Sequence, residues 1–199
     1  MTDAQKRMKT IISFTYLFFA FLSSAHAQEE LNETSYHRHT LGISFQLYPA
    51  GVITTITTEY IQINNSSLLL RIGGNFADRK DYSDYNDNET GAGFGGTIGY
   101  RRYFHLGRGK IIAGLNTDIW NMWINWKNDI GEANETSGQT YTLVLQPWLE
   151  SGYFLQLNNS PIQLGITLGF GREINIITDG KDVGQGWMLS LLFYGQYAF

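Results

Sequence analysis

Residues 162–170 read IQLGITLGF, a stretch in which every second residue is large and apolar. Between the apolar positions stand Gln163, Gly165, Thr167 and Gly169. A period of two places the two sets of side chains on opposite faces of a β-strand. The stretch therefore predicts a strand with one apolar face and one face of small and polar residues.

The same alternation recurs in seven further segments of similar length. They cover residues 41–48, 52–63, 68–76, 92–101, 111–119, 141–150 and 187–199. About ten residues is the length that a tilted strand needs to cross a bilayer. The eight segments predict an all-β fold, an eight-stranded antiparallel up-and-down transmembrane β-barrel over residues 41–199.

The connections between these segments differ in length. Short ones are expected at residues 64–67, 105–108 and 156–161, and longer ones at 78–90, 127–138 and 174–184. The first link, around residues 49–51, breaks this alternation by being short. Outer-membrane barrels have short periplasmic turns and longer extracellular loops, so the three longer connections are expected outside the cell.

The composition favours a membrane barrel over a soluble barrel such as a lipocalin. Charged residues make up 16% of the 199 residues, the net charge is −4, and there is no cysteine. After residue 27, lysine occurs only in connections or at strand ends, at Lys80, Lys110, Lys127 and Lys181. A polar face without lysine suits a narrow interior, and a face of Leu, Ile, Phe and Tyr suits lipid. A thiolate site is excluded, and the acidic total argues against nucleic acid as a partner.

Residues 1–27 have the layout of a cleavable secretory signal peptide. Basic residues precede an apolar run at residues 11–22, and an A-x-A cleavage pattern follows at residues 25–27. The run is too short for a membrane-spanning helix, which needs about 20 residues. Residues 28–40 are expected to form a short polar periplasmic segment before the barrel.

Aromatic residues gather where the strands are expected to meet the two membrane surfaces. Those at the periplasmic ends are Tyr60, Tyr103, Phe104, Tyr153, Phe154, Tyr197 and Phe199. Those near the opposite ends are Trp120, Trp123, Trp126 and Trp187. Two such bands predict interfacial aromatic girdles.

The last strand carries a recognisable pattern of alternating apolar and aromatic residues, Leu189, Leu191, Phe193, Tyr197 and Phe199. It resembles the C-terminal signal by which the barrel-assembly machinery recognises outer-membrane proteins, although the glycine preferred five places before the end is Tyr194 here. Residues 95–104, GGTIGYRRYF, resemble a strand of small outer-membrane β-barrel proteins of the porin-like OmpA/OmpX type. The resemblance implies a location in the bacterial outer membrane and contact with lipid, lipopolysaccharide and the assembly machinery.

Five charged residues are expected to face the barrel interior: Glu59, Arg71, Arg101, Asp118 and Glu150. A charge facing lipid would cost about 2–4 kcal/mol at the bilayer midplane. Facing inward, the acids and arginines can neutralise one another. We expect an internal ion-pair network that plugs the barrel, and a narrow polar path for ions is the alternative.

Other motifs carry little sign of chemistry. The G-x-G-x-x-G pattern at residues 91–96 lacks the following helix of a dinucleotide site. His37 and His39 could hold a metal with Glu33, but they belong to the polar segment, and His105 lies in a basic turn. Neither a nucleophile–base pair nor a metal-ligand set is evident. We therefore predict no catalytic residue, no metal and no cofactor.

The connection at residues 78–90 is acidic and contains Tyr82 and Tyr85, which are candidate recognition residues because tyrosine is enriched at binding surfaces. The sequence predicts a non-enzymatic, monomeric outer-membrane protein with a plugged interior and acidic loops for surface interaction or envelope support. These loops are candidates for binding an extracellular ligand, which the sequence does not identify. The alternatives are a narrow pore for small solutes, a lipid-A-modifying barrel enzyme and a soluble periplasmic ligand-binding barrel.

Overall fold

A computed structural model of the protein describes residues 39–62, 65–80, 85–157 and 160–199. These residues form a closed barrel in which each strand pairs antiparallel with its neighbours in sequence and the last strand closes onto the first. The strands are β1 (His39–Tyr48), β2 (Gly51–Gln62), β3 (Ser66–Lys80), β4 (Asn88–Leu106), β5 (Gly109–Asn128), β6 (Thr136–Gln156), β7 (Ile162–Asp179) and β8 (Gly186–Ala198). The predicted eight-stranded up-and-down barrel is confirmed.

The predicted signal peptide, the polar segment up to residue 38, and with it His37 and Glu33, lie outside the described residues. Within the described part of the chain, no helix is long and apolar enough to cross a membrane.

The two faces of the strands differ sharply in character. In β1, Leu41, Ile43 and Phe45 point outward and are exposed, whereas the intervening polar side chains Ser44 and Gln46 are buried. Across the barrel the outward set is apolar, and Ile98 on β4 is 69% exposed. Such an exterior is stable in lipid, and the closed ring satisfies the backbone without free edges. The soluble-barrel alternative is therefore excluded.

The strands extend further than the apolar alternation indicates. β3 to β7 are 15 to 21 residues long, more than the ten or so that cross a bilayer. Strand therefore covers part of each connection expected at residues 78–90, 127–138 and 174–184, and the residues between strands are 81–87, 129–135 and 180–185. Polar residues outside the bilayer continue the backbone ladder, as Arg79 opposite Glu89 does.

The barrel has two ends, which we call the turn end and the loop end. The turn end carries the connections at residues 63–65, 107–108 and 157–161 together with Phe199, and the loop end carries those at residues 49–50, 81–87, 129–135 and 180–185. At the turn end, Gly107 has a φ of 59°, a left-handed conformation that glycine adopts without strain.

Part of the predicted aromatic girdles lies inside the barrel. Tyr103, Trp120 and Phe154 are buried in the interior, because each stands at an even number of residues from an inward-facing charge on its own strand. The Trp120 indole donates to Gln146 Oε1 at 3.1 Å. Tyr60, Trp123, Trp187 and Tyr197 are exposed on the outer face, as a girdle requires.

Candidate functional site: the charged barrel interior

Among the residues that the structure describes, eight charged side chains are buried in the barrel interior. Five are the predicted residues Glu59, Arg71, Arg101, Asp118 and Glu150, and three more are Arg79, Glu89 and Glu173. They form three groups, each centred on one arginine, which we call the turn-end, central and loop-end nodes. Buried charges are stable only when they are paired and hydrogen-bonded.

The turn-end node is centred on Arg101 of β4, which bridges β2 and β6. Its Nε and Nη2 donate to the two carboxylate oxygens of Glu150 at 2.9 and 2.8 Å, and its Nη1 donates to Glu59. The guanidinium carbon lies 4.5 Å from the centre of the Tyr194 ring. This combination of a bidentate pair and a stacked ring is specific to arginine.

Both carboxylates of the turn-end node accept further hydrogen bonds. Glu59 accepts from the Ser67 hydroxyl at 2.8 Å, the Gln196 amide at 2.9 Å and the Tyr103 hydroxyl. Glu150 accepts from the side chains of Asn116, Thr167 and Tyr194 at 2.8 to 3.0 Å. The donors and acceptors of this node come from every strand except β1, so the node ties opposite walls of the barrel together.

The central node pairs Arg71 of β3 with Asp118 of β5 at 3.4 Å. Arg71 also donates to Thr97 at 2.8 Å and to Gln46 at 3.0 Å. The Trp148 indole donates to Asp118 at 2.8 Å, and its ring lies 5.2 Å from the guanidinium carbon. Arg71 Nη1 and Gln46 Nε2 are buried without a hydrogen-bond partner among the described residues.

The loop-end node links Arg79 of β3 to Glu89 of β4 and Glu173 of β7. Arg79 Nη1 donates to Glu89 at 3.1 Å and to the Gly184 carbonyl at 2.6 Å, and Nη2 donates to Glu173. The Gly184 amide donates in turn to Glu89 at 3.0 Å. The node therefore fastens the connection between β7 and β8 to the barrel wall.

Sequence reasoning missed the loop-end node because Arg79 and Glu89 were assigned to a connection. The sequence signal that could have identified this node is the spacing of Arg79 and Glu173 from inward-facing residues on their own strands. Arg79 follows Arg71 by an even number of residues, and Glu173 continues the inward alternation of Gly169 and Gly171, so both belong to inward positions if their strands continue.

The other candidate residues lie away from these nodes. Tyr85 is 43% exposed at the loop end, and Tyr82 lies outside the described residues. Leu189, Phe193, Tyr197 and Phe199 are exposed on the outer face of the last strand and its end, and Leu191 lies on the same face, partly covered. Phe199 pairs with the start of β1, where its amide donates to the His39 carbonyl at 2.9 Å. The role of this segment in assembly stays a prediction.

The glycine-rich pattern and the two histidines considered as candidate sites lie in the barrel wall or at its turn end. The G-x-G-x-x-G pattern at residues 91–96 lies inside β4. The His39 ring lies against the rings of Tyr60 and Phe199, and His105 is exposed at the turn end. Within the ranges that the structure describes, no group of three His, Asp or Glu side chains is arranged to hold a metal.

Comparison with known proteins finds similarity in fold alone. No family model matches the chain, and no curated protein matches it. Among solved structures, the N-terminal β-barrel domain of Pseudomonas aeruginosa OprF is 12% identical, with a TM-score of 0.41, covering 80% of this chain and 96% of that one.

Two further structures are similar to a comparable degree. Neisserial surface protein A is 10% identical, with a TM-score of 0.47, covering 81% of this chain and 96% of its own. The outer-membrane protein AlkL, solved in lipid bilayers, is 9% identical, with a TM-score of 0.47, covering 86% and 95%. The closed ring of eight antiparallel strands and its apolar exterior give this chain the architecture of a small bacterial outer-membrane β-barrel.

Proposed function

We propose that the protein is a non-enzymatic component of the bacterial outer membrane, with a plugged interior and an acidic surface facing out of the cell. In this proposal the turn end is periplasmic and the loop end extracellular, as in barrels with short periplasmic turns. The barrel serves as a rigid support for the loop end, and the loop end contacts neighbouring lipopolysaccharide or a partner. The protein acts as a monomer.

The observation that carries the proposal is the stack of three arginine nodes across the barrel interior. Eight strands enclose a space that side chains can fill. Arg101 reaches the carboxylates of Glu59 and Glu150 on two separate strands, and aromatic rings from Trp148 and Phe154 lie beside the guanidinium groups. These contacts across the interior support the proposal that side chains fill the path that a solute would need.

The acidic loop end supports a role in surface contact. Asp87, Asp129, Glu132, Glu135, Asp179 and Asp182 are exposed there, against the exposed bases Lys80, Lys127, Arg172 and Lys181. Such a surface attracts cations and basic groups.

A comparison of lipid A by mass spectrometry, from cells with and without the protein, tests the proposal that the protein is not an enzyme. A change in the mass of lipid A would contradict that proposal.

Conductance across a planar bilayer tests the plug. Refolded wild-type protein is expected to give no unitary current steps. The double variant Arg71→Ala/Asp118→Ala removes the central ion pair and is expected to admit small, brief currents, while the outward variant Asn125→Ala stays silent. Reproducible steps from the wild-type protein would overturn the plug.

A narrow ion path is the second candidate. It is favoured by the buried donors Arg71 Nη1 and Gln46 Nε2, which have no protein partner among the described residues and are suited to hydrogen-bonded water. Wild-type conductance that falls in Gln46→Leu would support this function over the plug.

A further inference from the structure

The basic side chains around the three turns at the turn end all lie on the β4–β5 hairpin. These turns and the strand ends beside them cover residues 58–70, 102–113 and 152–166. The bases in these ranges are Arg102, His105, Arg108 and Lys110, and their single acid is the buried Glu59. We call residues 102–110 the basic hairpin. Because the exposed loop end is acidic, the two ends of the barrel differ in the sign of their charge.

The basic hairpin extends beyond the neighbouring turn and is fastened to the barrel wall. Pairing of β4 with β3 ends at Arg102 opposite Ser66, the first residue of β3, whereas β4 continues to Leu106. On the other side, the Tyr153 hydroxyl of β6 donates to the Leu106 carbonyl at 3.2 Å. The hairpin therefore presents its side chains from a fixed backbone at the turn end.

The outer face of the basic hairpin and the adjoining strand combines apolar and basic side chains. By the alternation of β4, Arg102, Phe104 and Leu106 point outward, and Leu106 is 55% exposed. Ile111, on the outer face of β5, is also exposed. An outward arginine among apolar side chains is stable at the level of the lipid head groups, where its guanidinium leaves the hydrocarbon. This face therefore lies against lipid at the membrane surface.

The charges of the basic hairpin favour an anion. Arg108 is exposed in the turn, and Lys110 lies directly opposite His105 in the ladder. Basic groups in direct opposition repel one another when both are charged, and Glu59 is held inside the barrel by Arg101. A guanidinium has five N–H donors, so Arg102 can keep contacts within the protein while it binds a lipid oxygen.

We propose that the basic hairpin binds the phosphate group of an anionic phospholipid, whose acyl chains lie along Phe104, Leu106 and Ile111. Phosphate oxygens are the acceptors that the planar guanidinium of arginine matches, and the acyl chains match the apolar side chains on the same face. A soluble anion would match only the basic groups. In the proposed orientation of the barrel, the lipid belongs to the periplasmic leaflet.

The test follows the amide resonances of Gly107 and Gly109 by NMR in protein refolded in zwitterionic micelles at pH 7 and low salt. Titration with dihexanoyl-phosphatidylglycerol is expected to give a saturable shift. Dihexanoyl-phosphatidylcholine, which has an additional positive charge, and inorganic phosphate, which has no acyl chains, are each expected to bind at least about fivefold more weakly. This readout does not depend on the orientation of the barrel or on its conductance, so a negative result leaves the proposed function standing.

Two double variants form a matched pair. Arg102→Gln/Arg108→Gln is expected to weaken binding of the phosphatidylglycerol by about fivefold, and Arg108→Gln alone, in the exposed turn, is expected to give an intermediate loss. Lys80→Gln/Lys127→Gln removes two exposed bases at the loop end and leaves the shift unchanged.

The variant Leu106→Gln separates a lipid from a soluble anion. It is expected to weaken binding of the phosphatidylglycerol, because the apolar contact is lost, and to leave the response to inorganic phosphate unchanged. Equal binding of phosphatidylcholine or of inorganic phosphate, the lack of a saturable shift, or undiminished binding in both Arg108→Gln and the double variant of the hairpin would each overturn the proposal.

Discussion

At the residue scale, Arg101 joins the two carboxylates of the turn-end node. It is fully buried and holds two carboxylates that lie 42 and 49 residues away along the chain. Removing one member of a buried ion pair leaves an uncompensated charge, and that cost exceeds the net contribution of the intact pair.

The variant Arg101→Met is expected to lower the free energy of unfolding by about 3–5 kcal/mol, because Glu59 and Glu150 are then buried without a cation. Urea titration of protein refolded in lipid vesicles measures this. The exposed Arg108→Met at the turn end is the control and is expected to change stability by less than about 0.5 kcal/mol.

A compensating variant separates charge from packing at the same node. Adding Glu59→Gln and Glu150→Gln to Arg101→Met removes both uncompensated charges, and the triple variant is expected to recover part of the lost stability. If the triple variant is no more stable than Arg101→Met, the loss comes from packing around Tyr194 and Phe154 instead.

At the element scale, β6 and β7 fit together because bulky side chains face glycines. The Phe154 ring lies where a Cβ atom on Gly165 would stand, at 2.6 Å, and the Trp148 ring lies 2.9 Å from the corresponding position on Gly169. The inward glycines of β7 therefore make room for the two rings that lie beside Arg71 and Arg101.

The variant Gly169→Val is expected to destabilise the barrel by about 1–3 kcal/mol, since overpacking displaces Trp148 from Asp118 and Arg71. Equilibrium unfolding followed by tryptophan fluorescence measures the change. Gly195→Val on β8 is the control, because its new side chain meets open space. Equal losses in the two variants would contradict the proposed fit between Trp148 and Gly169.

The terminal strand supports a prediction about assembly. The Phe199 side chain is exposed on the outer face, and removing it leaves the backbone pairing with His39 in place. Phe199→Ala is expected to reduce the amount of heat-modifiable protein in the outer membrane severalfold while changing the urea midpoint of the refolded protein little. Tyr60→Ala, at a neighbouring exposed aromatic ring, is expected to assemble normally, and an equal loss of assembly there would show that the effect is not specific to the C-terminal signal.

At the scale of the whole molecule, the exterior decides where the protein can be stable. Apolar side chains cover the outer face along every strand, while polar and charged groups are enclosed. This arrangement inverts the distribution of a soluble barrel, because the surrounding solvent is hydrocarbon.

The variant Ile98→Arg places a charge in the middle of the apolar band on β4 and is expected to lower stability in bilayers by about 2–4 kcal/mol. Thr90→Arg, outward on the same strand but near the loop end, is expected to cost about 0–1 kcal/mol. Urea unfolding from vesicles of matched lipid measures both. Similar costs at the two positions would mean that the apolar band is not held at bilayer depth.

The alternation of residues such as Leu164 and Gly165 was enough to predict the number of strands, their order in the barrel and the face of the alternating residues within each predicted segment, because a strand has a period of two whatever it packs against. Strand ends were less predictable. In the loop-end half of β5 the apolar residues Met122 and Ile124 lie inside the barrel, so the apolar-outward pattern does not extend to the strand end, and only the pairing with β6 reveals where the two strands stop.

The amino-acid sequence by itself determined that the chain forms a closed barrel with polar side chains inside, since local alternation and composition are properties of each segment alone. Only the tertiary structure decided that Arg101 reaches both Glu59 and Glu150 and that Arg79 belongs to the interior. These features depend on the register and stagger with which eight strands close, and they bring together residues that are far apart along the chain.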